Sequence, residues 1–231
     1  WLESPTNPGL DVCDIAALCR AAHDVGALVA VDNTTATVLG QRPLALGADF
    51  AVVSDTKAMT GHADVVLGHV AAKDAAWADA LRTWRTRMGV IPGPMEVWLA
   101  HRSLGTLDVR LARQCETALQ MATYLSSHAK VSNTRYPGLP HDASYAIASQ
   151  QMARFGPVVA FTLTDRAAVE RFFAATTLVN EATSFGGIHT SAERRGRWGA
   201  DDVADGYVRL SIGLEGVRDL LNDFETALAA V

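Results

Sequence analysis

Apolar residues recur in steps of three and four through residues 11–25, at positions 12, 15, 18, 22 and 25. That spacing predicts an amphipathic helix, with Asp11 as its N-cap and Gly26 as its stop. The apolar stretches that follow are continuous instead of alternating, and they cover residues 27–32, 48–54 and 65–71. Continuous apolar runs of this length are typical of strands buried on both faces of a parallel sheet. The pattern predicts an α/β fold class with a mainly parallel sheet for this part of the chain.

Helical spacing returns beyond the third apolar run. It predicts helices at 74–88 and 95–104, and Ile91-Pro92-Gly93-Pro94 breaks the chain between them. A longer amphipathic helix is predicted at 106–129, because Leu107, Leu111, Cys115, Leu119 and Ala122 recur at helical spacing.

The start of that long helix is the predicted domain boundary. It separates the remainder of a large domain, residues 1–105, from a smaller C-terminal α+β domain, residues 106–231. Further elements predicted in the smaller domain are strands near 131–136, 158–163 and 207–212, and helices near 166–175 and 215–230.

Composition and charge narrow the classes of function. The 231 residues carry a net charge of −5, and this mild acidic excess argues against binding to nucleic acid or to an anionic membrane surface. The basic cluster Arg194-Arg195-Gly196-Arg197 is too short and too isolated to change that expectation. No apolar run approaches the roughly 18 residues of a membrane span, and no signal peptide opens the chain.

The three cysteines, Cys13, Cys19 and Cys115, have neither metal-binding spacing nor the pattern of a disulfide framework. They predict small buried side chains in a reducing cytoplasm, and no metal site. The chain opens on Trp1-Leu2-Glu3-Ser4-Pro5 without a methionine, which resembles the end of a strand running into a loop. We therefore expect this to be the C-terminal part of a longer protein.

The candidate chemistry lies just beyond the predicted strand ends, where open α/β sheets bind ligands. Asp32 ends the first apolar run, and Lys57 follows the second with Ser54 and Thr56 beside it. A lysine that forms a Schiff base with pyridoxal 5'-phosphate (PLP) needs an acid to keep the pyridine nitrogen protonated. It also needs hydroxyls or backbone N–H groups for the phosphate. A lone loop lysine would be a solvated surface residue, but here all these groups lie close together in sequence.

Several segments together resemble the γ-family of PLP-dependent enzymes of cysteine and methionine metabolism. The family includes cystathionine γ-lyase, cystathionine γ-synthase, cystathionine β-lyase and methionine γ-lyase. The matching segments are 3–8 (ESPTNP), 31–37 (VDNTTAT), 54–57 (SDTK), 61–66 (GHADVV), 184–187 (SFGG) and 208–215 (VRLSIGLE). Their order and spread make the resemblance specific, although each alone is weak. It implies a fold-type I PLP enzyme with an aspartate-aminotransferase-like large domain, of which the chain lacks the N-terminal portion.

The resemblance also assigns roles to individual residues. Lys57 would carry the cofactor and then move protons, Asp32 would pair with the pyridine nitrogen, and Ser54 and Thr56 would bind the phosphate. Arg209 would bind the substrate α-carboxylate, with Ser184 and Asn7 alongside. For Arg209, a charge inside the apolar strand near 207–212, an ion pair with a structural Asp or Glu is the competing interpretation.

Two histidines lie near these motifs. His62 is expected to make a structural hydrogen bond. His189 stands where many relatives carry an acidic residue that bears on substrate choice, which leaves γ- against β-elimination open.

The activity that the resemblance favours is that of cystathionine γ-lyase, which converts cystathionine to cysteine, 2-oxobutanoate and ammonia. Cystathionine γ-synthase is the nearest alternative and methionine γ-lyase the next; a catalytically silent assembly partner is a further one. The expected partners are a small amino-acid substrate and copies of the same chain, because active sites shared between subunits imply at least a dimer and usually a dimer of dimers.

Overall fold

A computed structural model describes residues 1–199 and 201–231. The N-terminal part contains a four-stranded sheet whose strands lie in the order β1-β2-β3-β4. These strands are β1 (Leu2–Glu3), β2 (Ala30–Asp32), β3 (Phe50–Ser54) and β4 (Gly68–Ala72). The first three are mutually parallel, so β2 and β3 end at the same edge of the sheet, and β4 pairs antiparallel with β3. The mainly parallel sheet is thereby confirmed.

The C-terminal part is built on a five-stranded sheet with the order β5-β6-β9-β8-β7. Its strands are β5 (Ser132–Arg135), β6 (Val158–Thr162), β7 (Asn180–Glu181), β8 (Ser191–Arg194) and β9 (Tyr207–Ser211). The two central strands, β6 and β9, are buried at every position. Both were predicted from their apolar composition, whereas β7 and β8 were not.

Eight α-helices connect and cover the two sheets within the described residues. They are α1 (Ile15–Asp24), α2 (Thr37–Gly40), α3 (Ala75–Met88), α4 (Pro94–Leu104), α5 (Leu107–Ser127), α6 (Tyr145–Gln151), α7 (Arg166–Ala175) and α8 (Val217–Ala229). The predicted helices agree with α1, α3, α4, α5, α7 and α8 apart from their ends. The short helices α2 and α6 carry too few turns to show a period in the sequence.

Two details of the prediction are wrong. The N-cap of α1 is Asp14, whose side chain accepts a hydrogen bond from the Ala17 N–H, and Asp11 instead pairs with Arg135. The third apolar run is also not a doubly buried parallel strand. It begins three residues late, at Gly68, and runs antiparallel along an exposed edge. An apolar run alone does not distinguish a central strand from an edge strand.

The main hydrophobic core lies between the C-terminal sheet and helices α5, α7 and α8. Phe161 of β6 packs edge-on against Phe172 and Phe224 at its centre. A smaller core beneath β2 packs Val31 against Ile15 of α1. Among the described residues, no helix has both the length and the hydropathy that crossing a bilayer requires.

Candidate active site

Lys57 lies in a turn that directly follows β3. Its backbone N–H donates to the Ser54 carbonyl at 3.2 Å, and its own carbonyl accepts from Gly61 at 2.9 Å. The side chain leaves this turn half-buried, and its Nζ donates to Ser184 Oγ at 2.9 Å. Burial first, and the nearby Arg209 charge second, lower the pKa of the Lys57 amine, although Glu193 partly offsets this. The neutral, nucleophilic form of this amine is therefore easier to reach than in an exposed lysine.

The segment that supplies Ser184 packs tightly against the lysine turn. Gly186 has φ +80°, and a Cβ there would lie 2.5 Å from the Ala58 backbone nitrogen. The Gly186 N–H donates to Ser211 Oγ at 2.7 Å, which fixes the segment to β9. A residue with a side chain could not occupy this position without displacing the backbone beside Lys57.

Helix α5 supports both segments from below. Arg110 is buried and donates to the carbonyls of Ala58 at 2.9 Å and Met59 at 3.0 Å, both just after Lys57. One turn later, Gln114 Nε2 donates to the carbonyls of Gly187 at 2.7 Å and Ile212 at 2.8 Å. The turn of α5 that carries these two polar residues therefore joins the lysine turn to the C-terminal sheet.

Arg209 lies at the centre of β9 and is 3% exposed. Its Nη1 donates to Asn7 Oδ1 at 2.7 Å, and its Nη2 donates to the Thr183 carbonyl at 2.6 Å and to Glu193 Oε2 at 2.8 Å. The competing interpretation of Arg209, an ion pair with a structural carboxylate, is thus realised in part. The contact with Asn7 accompanies it, so the structure brings Asn7 and Arg209 together.

Phe185 places Lys57 and Arg209 near one another. The Lys57 Nζ and the Arg209 Cζ each lie 5.1 Å from the centroid of its ring. Both groups therefore lie within the range of a cation–π interaction with this one ring. Four of the predicted residues, Asn7, Lys57, Ser184 and Arg209, are thereby gathered in one place around this ring.

The remaining predicted residues lie at the carboxyl ends of β2 and β3. Asp32 Oδ1 accepts from the Thr34 N–H at 2.9 Å, and Thr34 Oγ1 accepts from the Ser54 N–H at 2.9 Å. Thr56 Oγ1 donates to the Leu67 carbonyl at 3.2 Å and accepts from the Leu67 N–H at 3.0 Å. The proton of the Thr56 hydroxyl is therefore already used within the protein, which the spacing could not reveal.

Asp32 has a second carboxylate beside it. Glu3 of β1 is its direct neighbour in the parallel register. Burial first, and the charge of Asp32 second, raise the pKa of Glu3. Two adjacent carboxylates at the ligand-binding edge favour a cationic group between or beside them.

The two histidines differ in position. His62 Nδ1 lies 2.6 Å from the Thr60 carbonyl, the structural hydrogen bond that was predicted. His189 is largely exposed, with Nδ1 3.9 Å from Glu215 Oε1. Both line a cavity of about 190 Å³ that also contacts Ser184, Phe185 and Ile188. This cavity adjoins Lys57 through Ser184 and offers room for a small side chain.

Sequence reasoning missed three contributors: Phe185, Glu193 and the pair of Arg110 with Gln114. Arg110 and Gln114 are spaced four apart on the buried face of α5, in register with Leu107 and Leu111. Two polar residues within an apolar stripe were a readable signal. Glu193 carried no comparable signal, because its neighbours in sequence are all polar or small.

Comparison with known proteins gives this site its context. Residues 1–229 match the family described as Cys/Met metabolism PLP-dependent enzyme. A protein of Streptomyces coelicolor named "Putative cystathionine gamma-lyase" is 58% identical over 228 residues, which are 99% of this chain and 58% of that protein. Cystathionine gamma-synthase of Mycobacterium tuberculosis is 39% identical over 236 residues, or 99% of this chain and 61% of that protein.

A solved structure of a related enzyme has the same fold as this chain. Apo CalE6, a methionine gamma lyase from Micromonospora echinospora, superposes with a TM-score of 0.94 at 39% identity, covering 99% of this chain and 64% of that one. The chain spans about three fifths of the length of the curated relatives it matches. The fold is that of fold-type I PLP enzymes. The chain belongs to the family of PLP-dependent enzymes of cysteine and methionine metabolism.

The residues present fit the cofactor of this family, pyridoxal 5'-phosphate. A half-buried amine with a lowered pKa, Lys57, suits its aldehyde. The adjacent carboxylates Asp32 and Glu3 suit a protonated pyridine nitrogen. Because the Thr56 hydroxyl proton is engaged by Leu67, and the N–H groups of Thr56 and Lys57 already donate to carbonyls, the Ser54 hydroxyl is better placed to donate to a phosphate.

Proposed function

We propose that the protein to which this chain belongs is a PLP-dependent carbon–sulfur lyase, and specifically a cystathionine γ-lyase. The reaction consumes cystathionine and water and releases cysteine, 2-oxobutanoate and ammonia. The observation that carries the proposal is the convergence of the Lys57 amine, Ser184 and the Arg209–Asn7 pair around Phe185. The 58% identical relative supports the lyase over the other activities in the family.

In this proposal each residue has a defined task. Lys57 holds the cofactor and then accepts and returns protons at the substrate carbons, for which its lowered pKa is suited. Ser184 orients that amine through its hydroxyl. Arg209 and Asn7 bind the substrate α-carboxylate, because a planar guanidinium offers paired donors to a carboxylate. PLP, when bound, supplies the electron sink for the carbanion.

Asp32 keeps the pyridine nitrogen protonated in this proposal, and Ser54 binds the phosphate. Thr56 would contribute its hydroxyl after release from Leu67, to which its backbone N–H also donates.

We also propose the division into domains at residues 105 and 106 and a homo-oligomeric assembly, with a dimer of dimers as the expected form. The two separate sheets support the division.

The test is a substrate panel on the full-length protein reconstituted with PLP. Release of 2-oxobutanoate from cystathionine alone is the expected result. Accumulation of cystathionine from O-succinylhomoserine and cysteine, without the first reaction, would instead make the protein a cystathionine γ-synthase. Inactivity on both would favour the non-catalytic alternative.

A further inference from the structure

Glu193 is a buried carboxylate on β8, and it lies beside Arg209 on the neighbouring strand β9. The two residues are direct partners in the antiparallel register of β8 and β9. Glu193 has 0% exposure, and its Oε2 lies 2.8 Å from Arg209 Nη2. Leaving a carboxylate this deep in a protein is costly unless it is fully paired. The surroundings of Glu193 therefore need an explanation.

Four donors converge on the two oxygens of Glu193. Oε2 accepts from Arg209 and from Arg195 at 3.0 Å, and Oε1 accepts from Arg197 at 3.2 Å and from the Trp198 indole at 2.6 Å. Burial would raise the pKa of Glu193, but the hydrogen bonds from Trp198 and Arg195 and the charge of Arg209 hold it below its usual range. The carboxylate is therefore ionised and fixed in position.

Two arginines that directly follow β8, Arg195 and Arg197, hold this carboxylate in place. Arg195 also pairs with Asp201 at 2.6 Å, and Arg197 also pairs with Glu181 at 3.3 Å. Each of these two arginines therefore lies between Glu193 and a second carboxylate. Arg194, by contrast, points away and pairs with Asp205.

The fixed position of Glu193 determines the orientation of the Arg209 guanidinium. Its Nη2 is fully occupied by Glu193 and the Thr183 carbonyl, which fixes the plane of the guanidinium. Its Nη1 faces Asn7, and its central carbon lies beside the Phe185 ring that also contacts Lys57. One edge of the guanidinium is therefore committed to the protein, while the edge near Asn7 faces the site.

We propose that Glu193, held by Arg195, Arg197 and Trp198, is a positioning residue that orients the Arg209 guanidinium to receive the substrate α-carboxylate. This inference rests on the proposed role of Arg209. Glu193 itself does not contact substrate. Its effect is confined to ligands that carry a carboxylate.

The test compares two ligands that differ only in that group, L-alanine and ethylamine. Their dissociation constants are measured on the full-length PLP-loaded protein from the change in cofactor absorbance. Glu193→Gln leaves one acceptor oxygen where four donors converge, so we expect L-alanine to bind about tenfold to a hundredfold more weakly, the range for losing a hydrogen bond to a charged group. Ethylamine should bind within about twofold of the wild type.

Trp198→Phe provides a milder variant if Glu193→Gln does not fold. It removes a single donor and leaves the carboxylate, so the same selective loss should appear at about threefold. Arg194→Ala is the matched control, because it removes an arginine next to Glu193 in sequence that does not contact it. It should alter neither dissociation constant.

Arg209→Lys separates this inference from the proposed function. If Arg209→Lys weakens L-alanine selectively and neither Glu193→Gln nor Trp198→Phe does, the positioning role is wrong and the carboxylate site stands. If Arg209→Lys weakens both ligands equally, the carboxylate site itself is wrong. Equal weakening of both ligands by the Glu193 variant would show a general structural effect and would also overturn the inference.

Discussion

Lys57 and Arg209 lie beside the same phenylalanine, yet the protein holds them in opposite ways. Among the described residues, the Lys57 amine makes one hydrogen bond, to the neutral hydroxyl of Ser184. The Arg209 guanidinium donates to a carboxylate, an amide oxygen and a carbonyl. One cation is loosely held and half-buried; the other is fixed and almost fully buried.

The difference suits the two chemical tasks proposed for these residues. An amine that attaches to a cofactor and then moves protons must lose its charge and change position, and a carboxylate partner would oppose both. A receptor for a substrate group must keep its charge and orientation through every step, which buried pairing provides. The following changes test that contrast, from the largest expected effect to the smallest.

Removing the amine should have the largest effect. Lys57→Ala in the full-length PLP-loaded protein is expected to lower kcat by at least about 10³-fold, since it removes both the cofactor attachment and the proton carrier. The fold should persist, because the side chain contributes only one neutral hydrogen bond. Circular dichroism checks the fold, and lyase activity retained in purified Lys57→Ala protein would remove this residue from the reaction.

The second largest effect should come from disturbing the contact between the lysine turn and the segment that contains Ser184 and Gly186. Gly186→Ala combines a left-handed backbone with a Cβ placed against the Ala58 backbone, so we expect a loss of about 2–4 kcal/mol in the free energy of unfolding. Gly26→Ala is the matched control. It has φ +76° but no atom within 4 Å of the added Cβ, so its loss should be about 1 kcal/mol. Equal losses in urea titrations would mean that the close approach is unimportant.

Weakening the receptor should change affinity more than turnover. Arg209→Lys replaces a planar fork by a point charge, so KM for amino-acid substrates should rise about tenfold to a hundredfold with a smaller change in kcat. Steady-state kinetics on the full-length protein measure this. An unchanged KM would place Arg209 outside the substrate site and leave only its ion pair with Glu193.

The smallest effect concerns pH and the cofactor-free protein. The pKa of Lys57 is lower in the folded protein than its ordinary value of 10.5. At pH values between the lowered pKa and 10.5, Lys57 is protonated more often in the unfolded chain than in the folded protein. The contribution of this group to the free energy of unfolding therefore rises with pH. Lys57→Met lacks that contribution, and its stability relative to the wild type should fall as pH rises toward 10.5. A difference independent of pH in urea titrations would contradict the lowered pKa.

The sequence predicted the strands well where the chain runs mainly apolar. Strands β6 and β9 are buried at every position, and β2 and β3 alternate between buried and partly buried positions. In all four, the cover from sheet neighbours or helices is visible in the composition. Strand β8 is different. Glu193 and Arg194 would ordinarily indicate a loop, and they lie in a strand because Arg209 and Asp205 pair with them from elsewhere in the chain. Such long-range pairing has no local periodicity.

The candidate site shows the same division. Lys57 and Asp32 were predictable because strand ends mark them, and Arg209 was predictable because a charge in an apolar strand demands a partner. The identity of that partner was not, since Glu193 lies sixteen positions away in sequence and next to it in the sheet. The basic cluster after it was considered only as a nucleic-acid patch and set aside, whereas its members Arg195 and Arg197 form the ion pairs that make the burial of Glu193 possible.

Helix α5 sets the distance between two parts of the site. Arg110 donates hydrogen bonds to the turn after Lys57, and Gln114 donates one to the end of β9 beyond Arg209. Their four-residue step corresponds to a rise of about 6 Å along a helix axis. Adding one residue between Arg110 and Gln114 would rotate one side chain about 100° around the helix axis relative to the other. The separation between the lysine turn and the end of β9 is thereby tied to the rise of about one helix turn.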